Sequence, residues 1–402
     1  MGSKQYFEER YGGRKPGKID ASLDAMLQSV EWGEYRIGDL FEKISTKKLK
    51  YKAKELPKRP IGEYNLPCLT SSFNNQGLNY YVPRHDSSIL KNVITIPSNS
   101  DVYRAYYQSR EFTVLSDAYA IRWIASKDIL SYRQYLFMVM CINRVTDLPI
   151  YSYKNKLGGW NVVKKKFIQL PKKDGKIYFS LMDELIAELE AQRIAELEAY
   201  LTAAGLKDYE LTAEEEVALE KFPRIKCVEY KLGDFFEVKS NPQLDKSNFV
   251  FSENAAYPYF TRTAFNNGIC GYVEYLDNEH KIKGGCLAIG MIAMKFFYMQ
   301  ADFYAGQFTK RAIPKGFLLN EKIANFFISI MNKYSCVYQN ILVRDFENKF
   351  MESKVSIPVD EAGNIDYAFM QIFISAIQKL VIKDVVAYSD LKMAATKQAA
   401  SK

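Results

Sequence analysis

The sequence predicts an α+β protein in which two similar globular domains are separated by long helices. Three observations support this prediction. An eight-residue segment at 35–42 is repeated at 230–237, alternating aromatic and β-branched residues follow each copy, and stretches with helical apolar spacing follow each globular region. The 402 residues are enough for two or three domains with cores of their own.

The repeated octapeptide opens each globular domain. Residues 35–42 and 230–237 share Tyr, Gly, Asp, Phe and Glu, and the remaining positions keep their charge or apolar character. We predict a structural role, with Gly38 at a turn and Asp39 capping a short helix over residues 40–42. The segments that differ between the two copies are then the better candidates for recognition.

A second repeat predicts a β-hairpin in each domain. Residues 66–82 align with 257–273, and both segments have apolar ends around a centre that contains Asn and Gly. The apolar ends are typical of strands and the centre is typical of a turn. Helix-like segments follow at 132–145 and 321–334, so we expect strands first and helices later in each domain.

Each domain ends in a turn that contains Pro and Gly and leads into a helix. Residues 178–204 would form a helix of about 40 Å, which is longer than most globular helices. The second helix alternates apolar spacings of three and four, the pattern of a coiled-coil seam. Residues 17–31 resemble the start of such a helix. The residues that we expect to contact partner helices are Met182, Leu185, Ile186, Leu189, Ile194, Leu197, Met370, Phe373, Ile377, Leu380 and Leu391.

These signals divide the chain into five parts. They are an N-terminal segment with a partial connector helix (1–31), a first globular domain (32–171), a central connector helix (172–222), a second globular domain (223–358), and a C-terminal connector helix with a tail (359–402).

Charge is distributed unevenly along the chain. The formal net charge is +8, yet residues 178–220 contain twelve acidic and two basic residues. The rest of the chain is therefore strongly basic, which favours an anionic partner for the globular domains. A solvated surface without a partner would give the same pattern.

The cysteines and the apolar segments point to a cytoplasmic protein. The six cysteines show no Cys-x-x-Cys spacing, so neither a zinc site nor a redox pair is predicted, and scattered thiols suit a reducing compartment. We find no signal-peptide pattern, and no apolar run approaches the ~18–20 residues that cross a bilayer.

The order of these segments resembles a known family. A globule that begins near Tyr-x-(Ile/Leu)-Gly-Asp-x-Phe-Glu, then a Pro-containing turn and a long helix, and then all of these again is similar to the specificity subunit of type I restriction–modification enzymes. The start at Trp32-Gly33-Glu34-Tyr35 and the Gly-Asn-Ile-Asp run at 363–366 resemble the related subunit of type IIB systems. The resemblance covers roughly residues 17–395.

The resemblance implies a fold and a set of partners. Each globule would be a target-recognition domain that reads one half of a split double-stranded DNA site. The two domains would be related by a pseudo-twofold axis, and the helices would pair as an antiparallel coiled coil that sets the spacing of the half-sites. The helices would also dock methyltransferase subunits, expected to be two, which bring S-adenosylmethionine. A restriction subunit, with Mg²⁺ or ATP, is left open.

Base recognition needs bidentate side chains, and phosphate contacts come from cations and from polar groups near turns. We therefore expect DNA contacts from polar residues near the predicted strand ends, although Asn-Asn-Gly is also a turn signal. These candidates are Ser71, Ser72, Asn74, Asn75, Gln76, Arg104, Tyr107 and Gln108 in the first domain, and Arg262, Thr263, Asn266, Asn267, Lys295, Tyr298 and Lys310 in the second.

The sequence offers no catalytic or metal-binding residues of its own. It lacks an (Asn/Asp)-Pro-Pro-(Tyr/Phe) motif for amino-group methylation and a convincing Gly-rich cofactor loop, and we expect His85 and His280 to be surface residues. We therefore predict a non-catalytic subunit without a cofactor of its own. Two alternatives stay open at this point: a self-contained methyltransferase or nuclease, and an assembly scaffold that does not bind DNA.

Overall fold

A computed structural model describes residues 21–400, apart from residues 86, 116, 253 and 342–344. Within this range the chain forms two compact units, residues 21–196 and residues 197–400, here called unit 1 and unit 2. The predicted third connector begins at 17, and its first residues lie outside the described range. Its described part contains a helix, α1 (Ala21–Gln28).

Unit 1 has most of its strands before the helix that starts at Tyr132, as the sequence predicts. Its strands are β1 (Glu31–Arg36), β2 (Phe41–Lys43), β3 (Tyr64–Leu69), β4 (Leu78–Pro83), β5 (Val93–Pro97), β6 (Tyr106–Gln108), β7 (Thr113–Val114), β8 (Ala118–Trp123), β9 (Phe167–Lys173) and β10 (Lys176–Ile177). Its helices after α1 are α2 (Ile37–Leu40), α3 (Tyr132–Thr146), α4 (Trp160–Val163) and α5 (Phe179–Ala203), the last of which extends into unit 2.

Unit 2 repeats this order with other loops. Its strands are β11 (Cys227–Lys231), β12 (Phe236–Ser240), β13 (Tyr257–Phe260), β14 (Ile269–Val273), β15 (Cys286–Gly290), β16 (Lys295–Met299), β17 (Tyr304–Ala305), β18 (Thr309–Pro314) and β19 (Lys354–Pro358). Its helices are α6 (Ala213–Lys221), α7 (Leu232–Phe235), α8 (Glu321–Met331), α9 (Ser335–Ile341), α10 (Phe346–Glu352) and α11 (Tyr367–Ala400).

The two units share the topology of two sheets, and they differ in the third, which is β1-β9-β10 in unit 1 and β11-β19 in unit 2. A four-stranded sheet has the order β2-β8-β5-β6 in unit 1 and β12-β18-β15-β16 in unit 2. A three-stranded sheet has the order β4-β3-β7 in unit 1 and β14-β13-β17 in unit 2. In both three-stranded sheets the hairpin is antiparallel and the third strand is parallel to the first. The internal repeat in the sequence therefore corresponds to a duplicated fold.

The octapeptide joins two sheets in each unit, and the predicted helix boundary is wrong. The helical turn covers residues 37–40, not residues 40–42, and Phe41 already begins β2. Asp39 is thus inside the helix, not at its N-cap. In unit 2 the matching Asp234 accepts a hydrogen bond from the Lys231 backbone N–H (2.8 Å), because an acid at the third helical position can reach back to the cap.

The repeated glycine permits close backbone packing. A Cβ on Gly38 would lie 2.7 Å from the Lys164 carbonyl oxygen, and a Cβ on Gly233 would lie 2.9 Å from the Met351 carbonyl oxygen. Gly38 also donates its N–H to the same Lys164 oxygen (2.9 Å). The predicted turn role of Gly38 is therefore wrong, since the residue sits in the helical turn against a second backbone segment.

The first turns of each long helix pack into the core of the unit that precedes them. Met182, Leu185 and Ile186 of α5 belong to the main apolar cluster of unit 1. Met370 of α11 belongs to that of unit 2, and Phe373 packs against it. These packing contacts fix the direction in which each helix leaves its globule.

Farther along α11, the apolar residues are less covered. Leu380 and Leu391 are 46% and 68% exposed. Within unit 2, the end of α5 meets α11, because Ser389 donates its hydroxyl to the Glu198 carboxylate (3.2 Å). An antiparallel coiled coil along the two long helices stays a prediction.

None of the described helices is long and apolar enough to span a membrane.

Candidate nucleic-acid interface

Three loops meet at one edge of unit 1. The tip of the β3–β4 hairpin (70–77) lies against the β5–β6 connection (98–105), since the Ser100 hydroxyl donates to the Ser71 carbonyl oxygen (2.9 Å). The third loop connects β7 to β8 and includes Leu115 and Asp117. The Asp117 carbonyl oxygen accepts a hydrogen bond from the Ser98 N–H (2.8 Å). We call these three segments the loop edge of unit 1.

Two predicted contact residues of the hairpin tip have a left-handed backbone conformation. Asn75 and Gln76 have positive φ angles of 48° and 52°. Thr70 donates its N–H to the Gly77 carbonyl oxygen (2.9 Å) and closes the loop. Asn adopts this left-handed region more readily than most residues, so Asn75 has a structural role at this position. The side chains of residues 74–76 are nevertheless exposed.

A cleft of about 290 Å³ opens beside this hairpin tip. Ser71 and Ser72 line it, together with Asp101 and Tyr153 from other segments. The Asp101 carboxylate accepts a hydrogen bond from the Tyr153 N–H (3.0 Å). The cleft therefore presents hydroxyl groups and one carboxylate, a lining that can accept hydrogen bonds as well as donate them.

The loop edge of unit 2 is built at the corresponding place. It comprises residues 261–268, 291–294 and 306–308, and the Met291 N–H donates to the Phe308 carbonyl oxygen (3.0 Å). Asn266 and Asn267 again have positive φ angles, 48° and 52°. The left-handed positions are Asn75 and Gln76 in unit 1 and two asparagines in unit 2. The two hairpin tips have the same length, but their side chains differ.

Arg262 is the most prominent cation of this edge. Its side chain is exposed, and its guanidinium carbon lies 5.3 Å from the centroid of the Phe308 ring. The ring face attracts the cation and restricts its orientation. A Cβ on Gly290 would approach the Arg262 backbone to 3.3 Å, so the end of β15 supports the same segment closely. Phe308 and the end of β15 therefore pack against the segment that carries Arg262, and the Arg262 side chain stays exposed.

Other predicted contact residues of unit 1 take part in intramolecular contacts. Arg104 forms an ion pair with Asp147 (2.7 Å). Tyr107 stacks on Tyr135 with ring centroids 5.0 Å apart, and burial raises the pKa of Tyr107. Gln108 donates its side-chain amide to the Gln76 carbonyl oxygen (3.2 Å) and so links β6 to the hairpin tip.

The predicted contact residues on the sheet of unit 2 are also engaged. Tyr298 donates its hydroxyl to the Leu319 carbonyl oxygen (3.0 Å). Lys310 is only 9% exposed, and its ammonium group contacts the Glu347 carboxylate at 2.6 Å. Lys295 is half-buried at the start of β16, and Thr263 accepts the Phe265 N–H through its hydroxyl (3.2 Å). Contacts of these residues with DNA stay a prediction.

The family model described as "Type I restriction modification DNA specificity domain" matches this sequence twice, at residues 29–199 and 225–387. The chain belongs to this specificity family. The two matched regions include both loop edges and the first part of each long helix.

Comparison with one solved structure supports the fold of this specificity-family chain. It is similar to the type I restriction–modification S subunit from M. genitalium, with a TM-score of 0.52 and 12% identity over 92% of this chain and 94% of that chain. The HsdS subunit from Thermoanaerobacter tengcongensis aligns with a TM-score of 0.31 and 11% identity over 92% and 96%. The comparison with curated proteins found no match.

The sequence alone did not identify Phe308, the residue of this specificity protein whose ring contacts the Arg262 guanidinium. Its neighbours in the sequence give no motif, and only its positive φ of 59° and its 44% exposure mark it.

Among the described residues, no group of three or more His, Cys, Asp or Glu could hold a metal ion. His85 is exposed, whereas the half-buried His280 has its Nδ1 2.8 Å from the Asp277 carboxylate.

Proposed function

We propose that this chain is the sequence-specific DNA-recognition subunit of a restriction–modification complex, with each unit reading one half of a bipartite site. One observation carries the proposal. The same strand order occurs twice, and in each copy the same three connections form an edge whose side chains differ. A common scaffold with different loops suits two related but unequal half-sites.

The loop edges carry the side-chain types that base recognition requires. Arg262 could form a bidentate contact with guanine, and the exposed amides at the hairpin tips could do so with adenine. The hydroxyl groups of Ser71 and Ser72 fit phosphate or sugar contacts. In unit 1, Arg104 is paired with Asp147, so we place base recognition there chiefly on the exposed amides.

The partners and the spacing function are part of the same proposal. The long helices would set the distance between half-sites and dock methyltransferase subunits, since helix length is fixed by backbone geometry. The partly exposed apolar residues of α11, such as Leu380 and Leu391, offer a surface for such contacts. The chain itself would be non-catalytic, with S-adenosylmethionine and any Mg²⁺ or ATP bound by partner subunits in the cytoplasm.

The decisive experiment is reconstitution of the chain with a methyltransferase that co-purifies with it, followed by mapping of methylated positions on genomic DNA. We expect methylation at a site with two fixed parts and an unspecified spacer. Methylation by the lone chain with S-adenosylmethionine would instead establish a self-contained enzyme. Assembly with the methyltransferase that leaves its DNA sites unchanged would establish a scaffold that does not read DNA.

A further inference from the structure

The two units differ sharply in the connection that leads from the first strand of the four-stranded sheet to the hairpin. In unit 1 this connection, residues 44–63, contains seven basic and two acidic residues. In unit 2 the corresponding residues 241–256 contain one basic and two acidic residues. The net charges are therefore +5 and −1. We call residues 44–63 the basic loop.

The basic loop is anchored on the outer face of the three-stranded sheet β4-β3-β7. Leu49 and Leu56 are 8% and 6% exposed, and they form an apolar cluster with Leu66, Cys68 and Val82 of β3 and β4. The opposite face of that sheet packs toward the four-stranded sheet through a separate cluster that includes residues of β3, β5 and β8. Buried apolar side chains therefore hold the basic loop in a fixed position on the sheet.

Backbone contacts hold the loop at further points. Lys47 donates its N–H to the Ser88 hydroxyl (2.9 Å), and the Pro57 carbonyl oxygen accepts from the Tyr81 N–H (3.0 Å). Glu55 accepts the Lys52 N–H through its carboxylate (2.9 Å) and closes a short 3₁₀ turn. All seven basic side chains of the loop are exposed; they are Lys47, Lys48, Lys50, Lys52, Lys54, Lys58 and Arg59.

Unit 2 covers the same sheet face with aromatic side chains. Phe249 of its connection packs against Tyr259 and Tyr304, at ring-centroid distances of 5.0 and 5.1 Å. Phe251 contacts Tyr259 as well (5.5 Å). Both connections therefore stabilise the sheet, but only the one in unit 1 carries a group of exposed cations. A purely structural role does not explain why five net positive charges accompany the two leucine anchors.

We propose that the basic loop is a phosphate-backbone contact surface for duplex DNA, and that unit 1 consequently supplies most of the salt-dependent affinity. This inference rests on the proposed function, and it assigns the two units unequal electrostatic roles. A duplex is the occupant that fits, because seven exposed cations on one anchored loop can contact the closely spaced phosphates of a DNA strand. The contacts are independent of base sequence, so the loop affects affinity and leaves specificity to the loop edges.

The test is the salt dependence of binding to a random-sequence duplex, measured with the full chain in complex with its co-purified methyltransferase. The variant is K47Q/K48Q/K54Q. Each lost phosphate contact reduces the slope of log affinity against log salt by about 0.9, so we expect a slope smaller by about 2 to 3. Between ~50 and ~200 mM salt the unmodified complex should then lose about 30-fold more affinity than the variant.

The matched control is K231Q/K239Q/K354Q, which removes the same charge from exposed lysines of unit 2 that are ion-paired with Glu352, Glu237 and Glu229. We expect little change in its slope, and retention of the slope by K47R/K48R/K54R. An unchanged slope in K47Q/K48Q/K54Q, or an equal loss in the control, would overturn the proposal. The recognised sequence in the methylation map should stay the same in all variants. Absence of a bipartite site in the unmodified complex would contradict the proposed function instead.

Discussion

Replacement of Gly38 by alanine should destabilise unit 1 through the close backbone packing of the octapeptide. The new Cβ would lie 2.7 Å from the Lys164 carbonyl oxygen, a distance that forces one of the two backbone segments to move. Overpacking of this kind costs about 1–3 kcal/mol. The same oxygen accepts the Gly38 N–H at 2.9 Å, and weakening that hydrogen bond adds about 0.5–1.5 kcal/mol. We expect a total loss of about 2–4 kcal/mol.

The duplicated fold supplies a second site for the same test. Gly233→Ala brings a Cβ to 2.9 Å from both the carbonyl oxygen and the flexible terminal methyl carbon, Cε, of Met351. Leu232, not Gly233, donates its N–H to the facing segment, at Ser353. The loss should therefore be smaller, about 1–2 kcal/mol, and should affect unit 2.

Differential scanning calorimetry can separate the two units, because a protein with two compact units need not unfold in one step. For units of this size about 1 kcal/mol lowers the midpoint by about 2–4 °C. We expect Gly38→Ala to lower the transition of unit 1 and Gly233→Ala that of unit 2. Gly159→Ala is the control, since its Cβ would meet no atom within 4 Å and its φ is −86°. Equal midpoints for Gly38→Ala and Gly159→Ala would refute the packing argument.

Three further predictions concern the recognition surfaces, the long helix and pH. Arg262→Ala should relax one half-site only, by about 1–3 kcal/mol at one base pair, and an unchanged methylation map would exclude Arg262 from base contact. Insertion of one helical turn after Glu196 should lengthen the spacer of the methylated sequence, whereas an identical spacer would show that α5 does not set it. Burial opposes ionisation of Glu215, but the Thr212 N–H, Ser375 and Lys379 together lower its pKa below the ordinary 4.5. Its contribution to stability is therefore present above that value and is lost as the pH falls through the lowered pKa, so Glu215→Gln should flatten the acid-side stability profile of unit 2; an unaltered profile would contradict this role.

The duplicated architecture could be predicted from the sequence because its signals are local and occur twice. The helix expected at 132–145 is observed as Tyr132–Thr146, and the one expected at 178–204 as Phe179–Ala203. Turn chemistry was equally informative, because Asn75, Asn266 and Asn267 of the hairpin tips adopt the left-handed conformation that such motifs predict. Periodicity and turn residues report backbone conformation directly, so these elements needed no tertiary information.

Tertiary contacts explain what the sequence could not show. The packing of Lys164 against Gly38 joins segments more than a hundred residues apart, so the sequence suggested a turn where the structure has a one-turn helix. Lys310 was predicted to contact DNA, but its side chain is buried and its ammonium group pairs with Glu347 on α10, which packs beside β12. Arg104 was likewise predicted without its ion-pair partner Asp147. Charged residues near strand ends do not reveal their partners until the fold is known.

The separation of scaffold and loops is what makes two different half-sites compatible with one duplicated fold. The octapeptide, the hairpin strands and the sheet order are common to both units, so the positions of the loop edges are fixed by residues that do not contact DNA in the proposed complex. The β5–β6 connection spans residues 98–105 in unit 1, but its counterpart spans only 291–294 in unit 2. Both connections start and end on equivalent paired strands. Tyr103 in unit 1 and Met294 in unit 2 belong to the apolar cores, whereas exposed residues such as Asp101 and Ile292 can change without disturbing that packing. The recognised sequence of one half-site can therefore change without altering the fold or the other unit, and this independence is the physical content of the proposed bipartite function.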